Sequence, residues 1–182
     1  MGPDSVVVKL QTSIKESLLT QERFFSENMD TILKAFKMVV SALDGGGKLL
    51  IMGNGGSAAD AQHVAAELVN RYRKERRPLP AIALTTDSSI MTAIGNDYDF
   101  RYLFSRQIEA LGRQGDIVLA ISTSGNSENV IEGVVQAKKM GIPAVVLTGG
   151  RGGRLKEMAD CVICVSLTSQ TPRIQEALLV LE

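Results

Sequence analysis

The stretch Leu49-Leu50-Ile51-Met52-Gly53-Asn54-Gly55-Gly56-Ser57 decides how this chain is read. Four apolar residues bounded by glycine suit a buried strand better than a helix. Beyond the Gly/Asn/Ser turn, residues 58–71 follow helical spacing, with Ala61, Val64, Ala65, Leu68 and Tyr72 on one apolar stripe. A small-residue turn between a strand and a helix N-terminus offers unpaired N–H groups and a positive dipole end to an anion. The same order recurs further on. An apolar run over 117–121 leads through Ser122-Thr123-Ser124-Gly125-Asn126-Ser127 into a helical pattern over 129–140. Two such turns in one domain point to a small phosphorylated ligand.

Outward from these turns, apolar runs lie at 49–52, 81–84, 117–121, 144–147 and 162–165. Helical patterns lie at 58–71, 89–94, 101–111, 129–140, 155–158 and 172–181. Continuous apolar strands alternating with helices imply a parallel sheet covered on both faces. The expected fold is therefore α/β, a three-layer sandwich with a five-stranded parallel sheet of flavodoxin/Rossmann-like type. Ligands in such sheets bind beyond the carboxyl ends of the strands, where both turns should sit. The first 44 residues read as helical, on Leu10, Ile14, Leu18 and Leu19 and then on Ile32, Ala35, Phe36, Val39 and Val40. A break near Ser26-Glu27-Asn28 suggests two N-terminal helices, which are candidates for subunit contacts. One domain is expected over 1–182, with residues 1–44 as this helical segment and 45–182 as the α/β core.

A chain of 182 residues can bury a proper core. Lys+Arg and Asp+Glu balance at 20 each, so nothing advertises a nucleic-acid or acidic-membrane partner. The basic run Arg71-Tyr72-Arg73-Lys74-Glu75-Arg76-Arg77 reads as a solvated helix end and loop. No apolar stretch is long enough to span a bilayer. The start lacks the pattern of a signal peptide, and Val6 breaks the myristoylation pattern. A cytoplasmic location is expected. Cys161 and Cys164 are three apart on a strand-like run, so their thiols should diverge and stay structural.

The helix after the first turn holds the sharpest feature. Asp60, His63, Glu67 and Arg71 form a polar stripe at spacings of three and four. His63 is the only histidine, and Glu67 lies one turn beyond it. That pair suits a metal, or a base beside its orienting partner; it also fits an ordinary surface stripe of i,i+4 pairs. The phosphate-type turn just upstream favours the chemical reading. Ser57-Ala58-Ala59-Asp60 reads as a capping box. Gly53-Asn54-Gly55 begins a dinucleotide fingerprint, but Ala58 stands in place of the third glycine and no clear second strand ends in an acidic residue about twenty positions on.

In the second turn three hydroxyls, a glycine and an asparagine suit a dianionic phosphate without a P-loop lysine. Ser127 is expected to cap the following helix, with Glu128 in its first turn. Gly95-Asn96-Asp97 reads as a third polar turn, and Thr148-Gly149-Gly150-Arg151-Gly152-Gly153-Arg154 as a structural loop. Thr171-Pro172 starts a last helix, with Gln175 and Glu176 in its first turn.

Gly53-Asn54-Gly55-Gly56-Ser57, Ala61-Gln62-His63-Val64-Ala65-Ala66-Glu67-Leu68, Gly95-Asn96-Asp97, Ser122-Thr123-Ser124-Gly125-Asn126-Ser127 and Arg173-Ile174-Gln175-Glu176 together resemble the sugar isomerase (SIS) domain family. The resemblance runs from the N-terminal helices to the last residue. It implies an aldose–ketose isomerase that converts sedoheptulose 7-phosphate to D-glycero-D-manno-heptose 7-phosphate, toward the heptose of bacterial lipopolysaccharide. It also implies a homotetramer with sites at subunit interfaces. By the same resemblance Ser122, Thr123, Ser124 and Ser127 would hold the phosphate. Asn54, Gly55, Gly56, Ser57, Asn96 and Asp97 would line the sugar. Glu67 would be the catalytic base, and zinc would bind His63, Glu67 and Gln175, with Gln175 also touching substrate. The family carries a second metal-binding, acid/base histidine two turns beyond the glutamine, at the position that would follow Glu182. The competing implications are a non-catalytic regulator resembling the replication-initiator-associating protein, whose kind lacks the acidic residue matching Glu67, and a sugar-phosphate sensor without turnover.

Overall fold

The computed structural model describes residues 3–71 and 73–181, with side chains from Ser5 onward. Tyr72, assigned above to an apolar stripe, and Glu182 lie outside the described residues.

Five apolar runs become five parallel strands: β1 (Leu49–Gly53), β2 (Ala81–Ala83), β3 (Ile117–Ser122), β4 (Ala144–Gly149) and β5 (Cys161–Val165). Their order is β2-β1-β3-β4-β5, with every neighbouring pair parallel. Chain order reverses direction at β1, so the crevice between β1 and β3 is the switch point of the sheet. Leu49 pairs with Ile117 and Gly53 with Ile121, which brings the two Ser/Gly turns out side by side.

Side chains alternate between two cores, as the period of a strand requires. Leu49, Ile51, Ile117, Ile121, Val145, Leu147 and Ile163 face one layer, made by α1 (Pro3–Asp44), α2 (Gly56–Val69) and α6 (Thr171–Leu179). Leu50, Met52, Val118, Ala120 and Val146 face the other, made by α3 (Ser88–Asp97), α4 (Leu103–Leu111) and α5 (Glu128–Lys139). Short 3₁₀ turns at Phe100–Tyr102 and Arg154–Glu157 complete the connections. The three-layer α/β sandwich expected from the alternation of runs is the observed fold.

The N-terminal segment differs from expectation. It is one helix of 42 residues rather than two, about 60 Å long at 1.5 Å per residue. Ser26 and Asn28 do not break it. The Ser26 hydroxyl donates to the Arg23 carbonyl at 2.9 Å, and the Asn28 amide donates to the Phe24 carbonyl at 2.9 Å. Both side chains satisfy themselves by bonding back along the helix. Phe24, Ile32, Ala35 and Leu43 bury one face of α1. Val6, Leu10, Ile14, Leu18, Leu33, Phe36 and Val40 remain exposed on it.

Candidate active site at the strand ends

The first turn is built by close approach. Gly55 precedes α2 with φ +56°, and no side chain caps the helix start. Gly56 lies beneath Gln175 of α6, so closely that a Cβ there would stand 2.3 Å from the Gln175 Nε2. A Cβ there would have to push the end of the Gln175 side chain aside. The capping box expected at Ser57 and Asp60 is not formed. Ser57 is buried one residue inside the helix, against Gly53. Asp60, also buried, instead accepts a hydrogen bond from the Gln175 Nε2 at 3.0 Å. Burial raises the Asp60 carboxyl above its ordinary value, opposed by the Gln175 bond and the charge of nearby His63. Asp60, His63 and Gln175 are thus neighbours, with the Gln175 Oε1 left without the Asp60 contact.

The second turn closes on itself in the same manner. Ser122, buried at the end of β3, shares a hydrogen bond with Ser127 across the turn, Oγ to Oγ 3.1 Å. Ser127 stands at the N-cap position of α5, but its hydroxyl does not cap the helix as expected; it is turned to Ser122. Glu128 does occupy the first turn. The Ser124 hydroxyl accepts from the Asn126 N–H at 3.2 Å. The Thr123 carbonyl accepts from the Gly149 N–H at 3.1 Å. The loop over 148–154 buttresses this turn: a Cβ on Gly125 would meet the Gly152 carbonyl oxygen at 2.0 Å. Arg154 donates its backbone N–H to the Asn126 Oδ1 and its guanidinium to Glu128.

A cleft of about 470 Å³ lies between the two turns, lined by Asn54, Asp99, Phe100, Arg101, Ser127, Glu128 and Asn129. Asn54 is tied there to Asn129 of α5 by two hydrogen bonds of 2.8 Å. Asn129, Asp99 and Arg101 had no place among the residues singled out from the sequence. An asparagine early in a helix carries no sign of the partner it will find 75 residues away.

Asn96 and Asp97 are not in a turn. They form the last residues of α3, exposed, with the Asn96 amide donating to Asp97 at 2.7 Å. Glu67 is half-buried ten residues past Ser57, about 15 Å further along α2. It faces a groove of about 280 Å³ lined by Ile32, Phe36, Val39 and Val40 of α1. Within one chain it is not brought to the Ser122–Ser127 turn. Its carbonyl and that of Leu68 accept from Arg76, at 2.8 and 2.9 Å. Arg76 is therefore a closure of the α2 C-terminus inside what read as a solvated basic run.

His63 is exposed on α2, one turn before Glu67. Imidazole, carboxylate and amide oxygen are donor types a zinc ion accepts. No group of three His, Cys, Asp or Glu converges among the described residues, so Gln175 has to be the third donor if these residues hold a metal.

The SIS domain family model matches residues 14–149. A phosphoheptose isomerase of Campylobacter concisus is 54% identical over 92% of this chain and 90% of its own. A solved phosphoheptose isomerase of Neisseria gonorrhoeae superposes with a TM-score of 0.90 at 40% identity, covering 97% of this chain and 94% of that one. One from Francisella tularensis superposes with a TM-score of 0.92 at 38% identity, over 97% and 93%. The chain belongs to the SIS domain family and, within it, to the phosphoheptose isomerases.

Proposed function

We propose that this chain interconverts sedoheptulose 7-phosphate and D-glycero-D-manno-heptose 7-phosphate, supplying heptose for lipopolysaccharide. The single observation that carries this reading within the structure is the pair of anion-type turns at adjacent strand ends. They leave Asn54 and Ser127 on one cleft. Ser122, Thr123, Ser124 and Ser127 take the phosphate, through hydroxyls and the N–H groups of the uncapped start of α5. Asn54, Gly55, Gly56 and Ser57 border the sugar, with Asn96, Asp97 and Gln175 as further contacts.

The reaction moves one hydrogen between adjacent carbons. In the ketose, a base takes a proton from C1; the electron pair of that bond forms the C1–C2 double bond, and the C2 carbonyl becomes an enediolate. Return of the proton to C2, transfer of the O1 proton to O2 and reformation of a carbonyl at C1 give the aldose. Glu67 is assigned as that base. Donors fixed before substrate arrives stabilise the enediolate oxygen. Zinc, where bound, would be held by His63, Glu67 and Gln175 and would supply polarisation of the substrate oxygens.

Glu67 lies apart from the Ser122–Ser127 turn in a single chain and borders a groove flanked by exposed apolar residues of α1. Both facts support a homotetramer whose sites form at subunit contacts. The cytoplasm is the proposed location. No helix among the described residues is long and apolar enough to cross a membrane. Incubation with sedoheptulose 7-phosphate, with and without a chelator, tests the function. Aldose product is expected, with loss of rate on chelation. Binding without product would make the chain a sensor; neither would make it a regulator.

A further inference from the structure

We infer that Asn129 is a positioning residue that fixes which polar atoms Asn54 turns toward the sugar. The inference rests on the isomerase reading, in which Asn54 borders the sugar, and adds a residue that reading does not contain.

An asparagine amide has two faces of opposite character, and a flip of 180° about its terminal bond exchanges them at almost no cost in shape. A free Asn54 would therefore present either a donor or an acceptor at a given point of the cleft. Three observations remove that freedom. Asn129 is 3% exposed, so its amide cannot satisfy itself with bulk water. Its Oδ1 accepts from the Val130 N–H at 3.0 Å. A backbone N–H can only donate, so the atom facing it has to be oxygen, and the Asn129 Nδ2 must lie on the other side. The Asn129 Oδ1 then accepts from the Asn54 Nδ2, and the Asn129 Nδ2 donates to the Asn54 Oδ1, each at 2.8 Å. The orientation set by one backbone group of α5 passes through Asn129 to Asn54. Flipping Asn54 alone would oppose donor to donor and acceptor to acceptor.

What remains outward on Asn54 is one amide hydrogen and one oxygen lone pair, in a fixed order. Both partners line the cleft between the two turns. That arrangement suits a polyol, whose neighbouring hydroxyls donate and accept in sequence. It has nothing particular to offer a bare phosphate. The pair also joins the turn after β1 to the start of α5, which sets the spacing between sugar and phosphate subsites.

Calorimetric titration of the intact protein with sedoheptulose 7-phosphate and, separately, with inorganic phosphate tests this. Asn129→Leu keeps the side-chain shape and removes both polar atoms. It is expected to weaken heptose phosphate about tenfold, as loss of a buried paired group does, with inorganic phosphate unchanged within about twofold. KM should rise more than kcat falls. Asn54→Ala should lose a similar factor. The double variant should be no weaker than Asn54→Ala alone, because the two residues act as one unit. Unchanged heptose phosphate binding in Asn129→Leu, or losses that multiply in the double variant, would overturn the proposal while leaving the isomerase reading intact. A wild-type protein that binds heptose phosphate no better than inorganic phosphate would remove both. If Asn129→Leu does not fold, Asn129→Asp keeps the shape and both accepted bonds and replaces the donor to Asn54 with a charged oxygen, whose repulsion acts on both phosphate ligands alike. Its loss for heptose phosphate should exceed its loss for inorganic phosphate, and equal losses would overturn the proposal.

Discussion

The rim above β1 and β3 and the outer face of α1 are built on opposite terms. At the rim the polar side chains are already closed on one another. Asn54 holds Asn129, Ser122 holds Ser127, and Asp60 holds Gln175. Along α1 large apolar side chains stand in the open, Leu18 at 62% exposure and Phe36 at 49%. The turns proposed to grip phosphate and sugar thus make these bonds within a single chain. Glu67 borders a groove beside α1, next to those exposed apolar side chains. On the proposed reading, recognition is organised within one chain, whereas the proposed base lies beside the exposed face of α1.

The largest effect separates the two regions directly. Glu67→Gln keeps shape and loses the base, and a positioned base is typically worth about 10²- to 10⁴-fold in rate. Turnover in a coupled assay should fall by that order while inorganic phosphate binds as before. Normal turnover would remove Glu67 from the chemistry.

Next in size is the α1 face. Leu18→Asp should leave the single chain folded, since Leu18 is exposed in it. If a second copy buries Leu18, its removal costs about 1.5–3 kcal/mol per contact, ten- to hundredfold in association. Sedimentation should show smaller assemblies, and activity should fall with them. Unchanged mass and activity would detach α1 from the site.

A smaller effect is expected at the rim. Gly125→Ala places a Cβ 2.0 Å from the Gly152 carbonyl oxygen, and such overpacking costs about 1–3 kcal/mol. Thermal melting should drop by several degrees, and inorganic phosphate should bind more weakly. A variant with wild-type values would show that the buttressing loop yields freely.

The smallest effect reports how firmly α1 is docked. Cys161 lies under α1, its Sγ donating to the Thr31 carbonyl at 3.6 Å. Burial raises the pKa of both cysteine thiols. Less of each is thiolate at pH 8 than of a free cysteine, and the thiolate is the reactive form. Labelling with a thiol reagent should be slow in the native protein, rise as pH rises, and become fast in urea. Fast native labelling of Cys161 would mean that α1 lifts from the sheet.

What the sequence made legible follows from range. Each strand was visible because a short, uninterrupted apolar run bounded by turn residues suits a doubly covered sheet and is too brief for a buried helix. The structure extends four of those runs by a residue or two, as at Gly53 and Ser122, and shortens the second to Ala81–Ala83. The turns that follow β1 and β3 were visible for the same local reason. Errors arose where a side chain had a choice of partner. Ser26 and Asn28 bond back along α1 instead of ending it. Ser57 and Ser127, placed to cap helices, turn inward and across the turn. Asp60 prefers Gln175, 115 residues away, to the backbone three residues before it. Asn96 and Asp97 extend α3, which ends only at the C-cap Tyr98. Polar residues choose among competing partners in three dimensions, and spacing along the chain cannot rank them.

The most direct test of the chemistry is isomerisation of sedoheptulose 7-phosphate in D2O, followed by mass and NMR analysis of the recovered ketose and aldose. Solvent deuterium is expected at the carbons between which the proton moves, with Glu67→Gln abolishing both incorporation and turnover while still binding the sugar phosphate. Incorporation at the wild-type rate in Glu67→Gln would contradict the assignment of that carboxylate as the base.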